Sequence, residues 1–153
     1  CVQGSYYMRN LRQNQLGCRP RALPCLARII DAEFFLDWFF MKFVTRYFLG
    51  KGYFCGSNAL WRTAVLRSKL FDESMMTEDV DMAIQQLLDG RRIDFCAESR
   101  SGELAPINLS ACWKQRLRWA IGWDVASLAH WRNMLSTRFH LTPRERCGML
   151  WTF

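Results

Sequence analysis

The clearest hydrophobic period in the chain lies between Thr77 and Gly90, where Val80, Ala83, Ile84, Leu87 and Leu88 recur at the three- and four-residue steps of a helix with one buried face. Thr77 stands at the N-cap position, and Glu78 and Asp79 fall in the first turn, where the helix dipole favours carboxylates. Gly90 ends the pattern, with Arg91 and Arg92 just past the negative end. A longer apolar pattern, from about Leu26 to Phe48, predicts an aromatic helix bounded by Gly50 and Gly52. Its apolar residues, such as Ile29, Ile30, Phe34, Trp38, Met41 and Phe48, cover more than one face, which predicts deep burial or contact with a membrane. A third helix is expected from about Leu109 to Met134, with Asn108 or Ser110 as its cap. Between these, Tyr53 to Leu60 reads as a strand and turn broken at Gly56-Ser57-Asn58. A short helix from about Thr63 to Ser68 and a loop at Phe71-Asp72-Glu73-Ser74 follow. Arg92 to Cys96 is β-like, and Ala97 to Pro106 reads as a loop. Cys1-Val2-Gln3-Gly4 precedes a polar, Arg-rich stretch that ends in Pro20 and Pro24. Helix followed by strand, twice over, predicts an α/β fold.

Composition narrows the class. At 153 residues, half of them apolar and 23% charged, the chain has the length of one domain and is no disordered tail. No stretch reaches the roughly 20 apolar residues of a membrane helix; the run from Phe34 to Val44 is interrupted by Asp37 and Lys42. The first residues do not read as a signal peptide. The opening at Cys1 and the apolar run Met149-Leu150-Trp151-Thr152-Phe153 lead to the expectation of a piece of a longer protein. The seven cysteines, at 1, 18, 25, 55, 96, 112 and 147, form no C-x-x-C pair, so zinc spacing is absent and buried, reduced thiols in a cytosolic compartment are expected. His130 and His140 match no metal motif. A net charge of +7 suits nucleic acid, an anionic membrane face or phosphorylated substrates. The seven tryptophans lean toward a membrane interface or a sugar-binding groove.

Three short constellations carry chemistry. In Phe54-Cys55-Gly56-Ser57-Asn58, a glycine among small polar residues lets backbone amides approach a ligand, although taken alone this is an ordinary turn. In Thr77-Glu78-Asp79, a carboxylate at a helix start can accept a proton from a hydroxyl, or can simply complement the dipole. Asp79-Val80-Asp81 imitates a metal-binding D-x-D, but Asp81 is two residues further round the helix and need not point the same way. In Gln115-Arg116-Leu117-Arg118-Trp119, Gln115, Arg118 and Trp119 share one helix face, offering an amide, a guanidinium for phosphate and an indole that stacks on a sugar ring. A snorkelling Arg and Trp on an interfacial helix fit the same pattern equally well. Leu109, Trp113, Leu117, Ile121 and Leu128 form the opposite stripe, read as the anchoring side.

In this order, F-C-G-S, T-E-D and Q-R-L-R-W resemble the processive branch of glycosyltransferase family 2, which includes cellulose, chitin and hyaluronan synthases. The resemblance covers the chain from about Val2 to its end and corresponds to the second half of the catalytic domain, with Val2-Gln3 similar to the strand before the acceptor region. It implies a partial GT-A type α/β domain over residues 1–106. Residues 107–153 would hold a long amphipathic interface helix and then the approach to a missing transmembrane helix. It also implies a multi-pass membrane protein with a cytosolic catalytic domain. Asp79 would be the general base that deprotonates the acceptor hydroxyl for inverting attack on a nucleotide sugar, with UDP as the expected nucleotide, and Glu78 would support the helix start. Phe54, Cys55, Gly56, Ser57 and Trp119 would bind the acceptor sugar, while Gln115, Arg116 and Arg118 would face the nucleotide diphosphate.

The family's divalent metal, Mg²⁺ or Mn²⁺, is held through carboxylates of the first half, for which this chain shows no counterpart. Residues 1–153 alone are therefore expected to lack transferase activity. The partners implied are a nucleotide-sugar donor, a glycan acceptor and a lipid bilayer. Nucleic acid is not among them, because the basic residues are scattered and the aromatics fall mostly on apolar faces. A non-processive transferase adding one sugar and a catalytically silent interfacial scaffold are the competing readings. Glu33 either pairs with a nearby arginine or reaches the active site.

Overall fold

The computed structural model describes residues 1–9, 24–48, 50–139 and 141–153. The Arg-rich stretch through Pro20, with Cys18, lies outside the described residues, as do His140 and the side chains of Pro24, Trp38, Phe39 and Phe48. Strand β1 (Val2–Met8) is the centre of a three-stranded sheet of order β2-β1-β3. β2 (Ala59–Leu60) pairs with it antiparallel, and β3 (Asp94–Glu103) pairs with it parallel. The class is mixed α/β, consistent with a partial GT-A domain.

The sheet departs from the sequence expectation in two places. The strand expected at Tyr53–Leu60 shrinks to Ala59–Leu60, because Tyr53 and Phe54 are drawn into the core as extended chain tied by Gly52 N–H to Ile93 O at 2.9 Å. The loop expected at Ala97–Pro106 is strand as far as Glu103. Its polar residues lack the apolar alternation that marks a strand, but the exposed backbone of β1 supplies the partner. The pairing breaks after Gly4↔Cys96 and resumes at Ser5↔Arg100, so three residues of β3 bulge out. Asn58 Nδ2 fastens the bulge by donating to Ser5 O at 2.8 Å and Ser99 O at 3.0 Å. A Cβ on Gly4 would overlap that amide and lie 2.5 Å from Ser99 O, so only glycine fits there.

A long helical rod follows: α1 (Pro24–Phe35), a π-helical segment (Leu36–Met41) and α2 (Lys42–Phe48). α1 buries Leu26, Ala27 and Ile30, while Ile29, Phe35, Leu36 and Phe40 point outward, 57–65% exposed. More than one face is therefore apolar, as expected, and the outer one is uncovered among the described residues. The π-helical break was not legible in the sequence. Lys42 N–H reaches back five residues to Asp37 O, and the extra residue shifts the inward position from Met41, 37% exposed, to Lys42, 1% exposed.

α3 (Thr63–Ser68) and α4 (Glu78–Leu88) match their expected spans. The periodic residues Val80, Ala83, Ile84, Leu87 and Leu88 are all buried, at 5% exposure or less. They pack with Phe54, Ile93, Ala126 and Met134 into the main core, and Met8, Leu26, Ala27, Ile30 and Ala105 form a second cluster. Gly90 closes α4 at φ +73°, and Arg91 turns back to donate to Gln86 Oε1 at 2.6 Å.

α5 (Leu109–Leu135) begins at Asn108, whose side chain accepts from Ala111 N–H at 2.8 Å and so decides the choice of cap. α6 (Pro143–Thr152) was not expected, although Thr142-Pro143-Arg144-Glu145 carries both a capping box and a first-turn proline. The stripe read as anchoring on α5 holds nothing within the described chain: Leu109, Trp113 and Leu128 are 68–70% exposed, and Leu117 and Ile121 more than 40%. The opposite face packs inward through Gly122 and Ala126, because the helices approach too closely there for large side chains. Among the described residues no helix is long and apolar enough to cross a membrane.

Candidate active site

The turn at Cys55–Asn58 is built by a glutamine. Gln3, 1% exposed in β1, accepts Cys55 N–H at 3.0 Å and donates to Ser57 O at 2.7 Å and Asn58 O at 3.1 Å, gripping both ends. Gly56 (φ +75°) and Asn58 (φ +50°) make the reversal in left-handed backbone. Ser57 Oγ lies 2.8 Å from both Tyr6 OH and Glu103 Oε1, which ties the turn to β1 and β3. A Cβ on Gly56 would sit 3.3 Å from Asp79 Oδ2, so the turn rests almost on the carboxylate.

Thr77 occupies the N-cap position of α4, but its side chain makes no capping bond. Its hydroxyl is buried without a hydrogen-bond partner among the described residues, pressed against Gly122 of α5. Two residues on, burial holds the Asp79 carboxyl above the usual carboxylate range. Glu78 adds to that effect, while the backbone N–H groups of Val80 and Asp79 and the ammonium of Lys42 work against it. Asp81 faces the other way. It is 1% exposed, with Oδ1 2.6 Å from His130 Nε2 and Oδ2 accepting from Gln85 at 2.6 Å. Asp79 and Asp81 therefore do not converge, and the Asp81–His130 hydrogen bond joins α4 to α5.

A cleft of about 720 Å³ collects most of the residues singled out in the sequence: Cys55, Gly56, Ser57, Asp79, Gln115, Arg116, Arg118 and Trp119 all line it. Phe54 does not. It is 3% exposed and packs edge-on to Trp61 at 5.1 Å and against Phe71 at 6.2 Å, because neighbours in extended chain point to opposite sides. The acceptor-binding expectation for Phe54 is therefore corrected to a core role. Arg116 bonds Glu33 Oε2 at 2.7 Å and lies 4.6 Å over the Trp119 ring. Glu33 thus does both things asked of it, pairing with an arginine and lining the cleft.

Several contributors carry no motif signal. Gln3, Tyr6, Asp37 and Glu103 build or line the site from segments that read as ordinary strand, helix or loop. Lys42 is the least legible, a cation in an aromatic run that ends up fully buried beneath the turn. Its Nζ donates to Tyr53 O at 3.1 Å and Cys55 Sγ at 3.4 Å. Burial pushes the Cys55 thiol up to about 11, so it stays protonated at neutral pH. The six cysteines among the described residues are unbridged, and Cys25 and Cys147 are exposed rather than buried.

Chemically, the cleft sets one carboxylate of raised proton affinity opposite two guanidinium groups and an indole plate. That arrangement can draw a proton from a hydroxyl while cations offset charge on a leaving group. Among the described residues no group of three or more His, Cys, Asp or Glu side chains is placed to hold a metal ion.

A mixed α/β module whose cleft joins a helix-start aspartate to an arginine- and tryptophan-bearing helix is the kind of site that handles sugars and phosphates. The family model described as glycosyl transferase family group 2 matches residues 8–153, and the chain belongs to that family. It is 28% identical over 96 residues to the poly-beta-1,6-N-acetyl-D-glucosamine synthase of Staphylococcus aureus, in strains COL, N315 and NCTC 8325 among others. The match covers 60% of this chain and 23% of the relative, so the chain spans less than a quarter of the length of the curated relatives it matches. No solved structure matches it.

Proposed function

We propose that the full-length protein is a membrane-associated, inverting glycosyltransferase that moves a sugar from a nucleotide donor, UDP-linked, onto the growing end of a polysaccharide. This chain would be the second half of its GT-A catalytic domain. Asp79 takes the proton of the acceptor hydroxyl as that oxygen attacks the anomeric carbon, and the nucleoside diphosphate departs toward Arg116 and Arg118 with Gln115. Trp119 stacks on the terminal acceptor sugar, and Cys55, Gly56 and Ser57 line its seat. The observation that carries the reading is the single cleft that brings the turn, Asp79 and the Gln115–Trp119 face together. The divalent metal, Mg²⁺ or Mn²⁺, would be held by residues outside this chain.

The uncovered apolar stripe of α5 supports the interface-helix assignment within residues 107–153. Residues 1–106 would form the catalytic body, in a multi-pass membrane protein with its site on the cytosolic side. Similarity to a synthase of a poly-N-acetylglucosamine favours a processive enzyme over one adding a single sugar, and makes N-acetylglucosamine the first donor sugar to try.

The test supplies the full-length protein, in membranes, with labelled UDP-sugars and Mg²⁺ or Mn²⁺, and measures label in high-molecular-weight product beside an Asp79→Asn control. Polymer from one donor, lost in the control, is the expected result. Label confined to a single added sugar would favour the non-processive reading, and no transfer by a folded protein would favour the silent scaffold.

A further inference from the structure

Lys42 is the one lysine found fully buried among the described residues, and the cleft chemistry assigned above makes no use of it. Its placement depends on the π-helical segment. With ordinary α-helical spacing after Asp37, the inward position would fall on Met41; the five-residue step from Asp37 O to Lys42 N–H turns Lys42 inward instead. There the ammonium lies 4.1 Å from the Tyr53 ring centroid, donates to Tyr53 O, and reaches Cys55 Sγ, the residue before Gly56. Gly56 in turn borders the Asp79 carboxylate. We propose that Lys42 is a positioning residue for the transfer reaction: its buried ammonium pins the Tyr53–Cys55 segment under the acceptor seat and sets a positive charge behind the turn that Asp79 borders.

This inference rests on the reading of Asp79 as the base. Partial burial raises the proton affinity of Asp79, and a carboxyl that keeps its proton cannot act as a base. A cation sealed under the adjoining turn, 1% exposed, opposes that tendency. The pull is mutual: burial has the larger influence on Asp79, and Lys42 works against it. In return Cys55, Asp37 and Asp79 offset the burial that lowers the proton affinity of Lys42.

The other charged groups facing Asp79 are Glu78 on its own helix, Glu33 and Asp37 on the rod, Glu103 on β3, and Arg116 and Arg118 on α5. The acids among them outnumber the cations four to two, and Lys42, sealed under the turn, narrows that excess. Tyr53 OH, donating to Asp37 Oδ1 at 3.3 Å, completes the link from the rod to the turn.

The experiment is a pH–rate profile of the full-length protein in membranes, with the donor it turns over, for wild type, Lys42→Met, Lys42→Arg and Asp79→Asn. Removing the charge in Lys42→Met should move the acidic limb of kcat/KM upward by roughly one pH unit, a tenfold loss on the acidic side that alkaline pH restores. Lys42→Arg should keep most of the wild-type limb. A structural role alone would lower the rate equally at every pH, and an unmoved limb in Lys42→Met, or a limb displaced as far in Lys42→Arg, overturns the proposal. Should Lys42→Met fail to fold, Lys42→Gln, which keeps a donor for Tyr53 O without the charge, decides: its limb should also move upward, and an unmoved limb sinks the proposal. If Asp79→Asn keeps the wild-type rate, the base assignment falls and this inference with it. An inactive Asp79→Asn beside an unmoved Lys42→Met limb removes only the inference. No turnover from any donor removes both.

Discussion

The contact between Thr77 and Gly122 is the point where the aspartate helix meets the arginine–tryptophan helix, and it makes a sharp prediction about Gly122→Ala. Glycine inside a helix is normally worse than alanine by about 1 kcal/mol, so helix propensity alone predicts that the variant is more stable. The packing predicts the opposite. A Cβ at position 122 would overlap Thr77 Cγ2 and come within 2.8 Å of its Oγ1 and 3.1 Å of its Cβ. These atoms belong to a buried, branched side chain that has little freedom to yield. Overpacking costs about 1–3 kcal/mol, and an overlap this deep belongs in the upper half of that range; set against the propensity gain, the net loss should be about 1–2 kcal/mol, or roughly 2–8 °C in Tm for a domain of this size. Thermal unfolding of the full-length protein reads it. Thr77→Ser removes the overlapping methyl group and should by itself change little, yet recover most of the loss in the double variant. Transfer activity should follow the same cycle, because Trp119 lies one turn from Gly122 and Asp79 two residues from Thr77. A Gly122→Ala protein as stable as wild type, or a loss that Thr77→Ser leaves untouched, would refute the close-approach argument.

Other consequences are read by similar means. Asp79→Asn should abolish transfer yet raise Tm at neutral pH, because a carboxyl whose folded proton affinity is raised contributes stability below its unfolded pKa and loses it as pH rises through the folded value; the gain should vanish near pH 3. His130→Ala leaves Asp81 buried with only Gln85 against it and should destabilise by about 3 kcal/mol in chemical denaturation, while His130→Gln loses less. Phe54→Leu should lower Tm without changing the KM for acceptor, and a raised acceptor KM with unchanged Tm would return Phe54 to the cleft. Arg118→Lys keeps the charge but loses the planar fork, and should lower kcat about a hundredfold in steady-state assays.

What the sequence disclosed and what it hid divide along a physical line. α4 was legible from end to end because its signals are local: five apolar residues at helical steps, acids in the first turn and a glycine at the stop. The three motifs were legible as motifs, and all but Phe54 of the residues drawn from them line one cleft. Phe54 was misassigned because membership of a motif says nothing about which side of extended chain a residue faces. β3 beyond Cys96 was missed because its strand character comes from pairing with β1, across more than ninety residues, and not from any alternation of its own. The π-helical segment was hidden for a related reason: one inserted residue changes the inward face without changing the composition of the run. α6 is a different case, since Thr142, Pro143 and Glu145 carried a local start signal that the apolar ending obscured.

The buried polar residues show how these local and distant signals meet. Gln3, Ser5, Lys42, Thr45, Thr77, Asp81 and Gln86 are the buried polar or charged side chains among the described residues. Gln3 holds the Cys55–Asn58 turn to β1, and Ser5 donates to Ala97 O in the bulge of β3. Lys42 fixes the segment leading into that turn, Thr77 sets the distance of α4 from α5, and Asp81 locks the two helices through His130. An apolar core of the same volume would hold these elements together as firmly. What it would not do is fix their register, because apolar contacts slide where hydrogen bonds do not. A base, a turn and a cationic helix that come from separate stretches of chain must meet to within about half an ångström to act together. The polar residues in this core are placed where that precision is needed, each touching an element that carries one of the three motifs or packs against it.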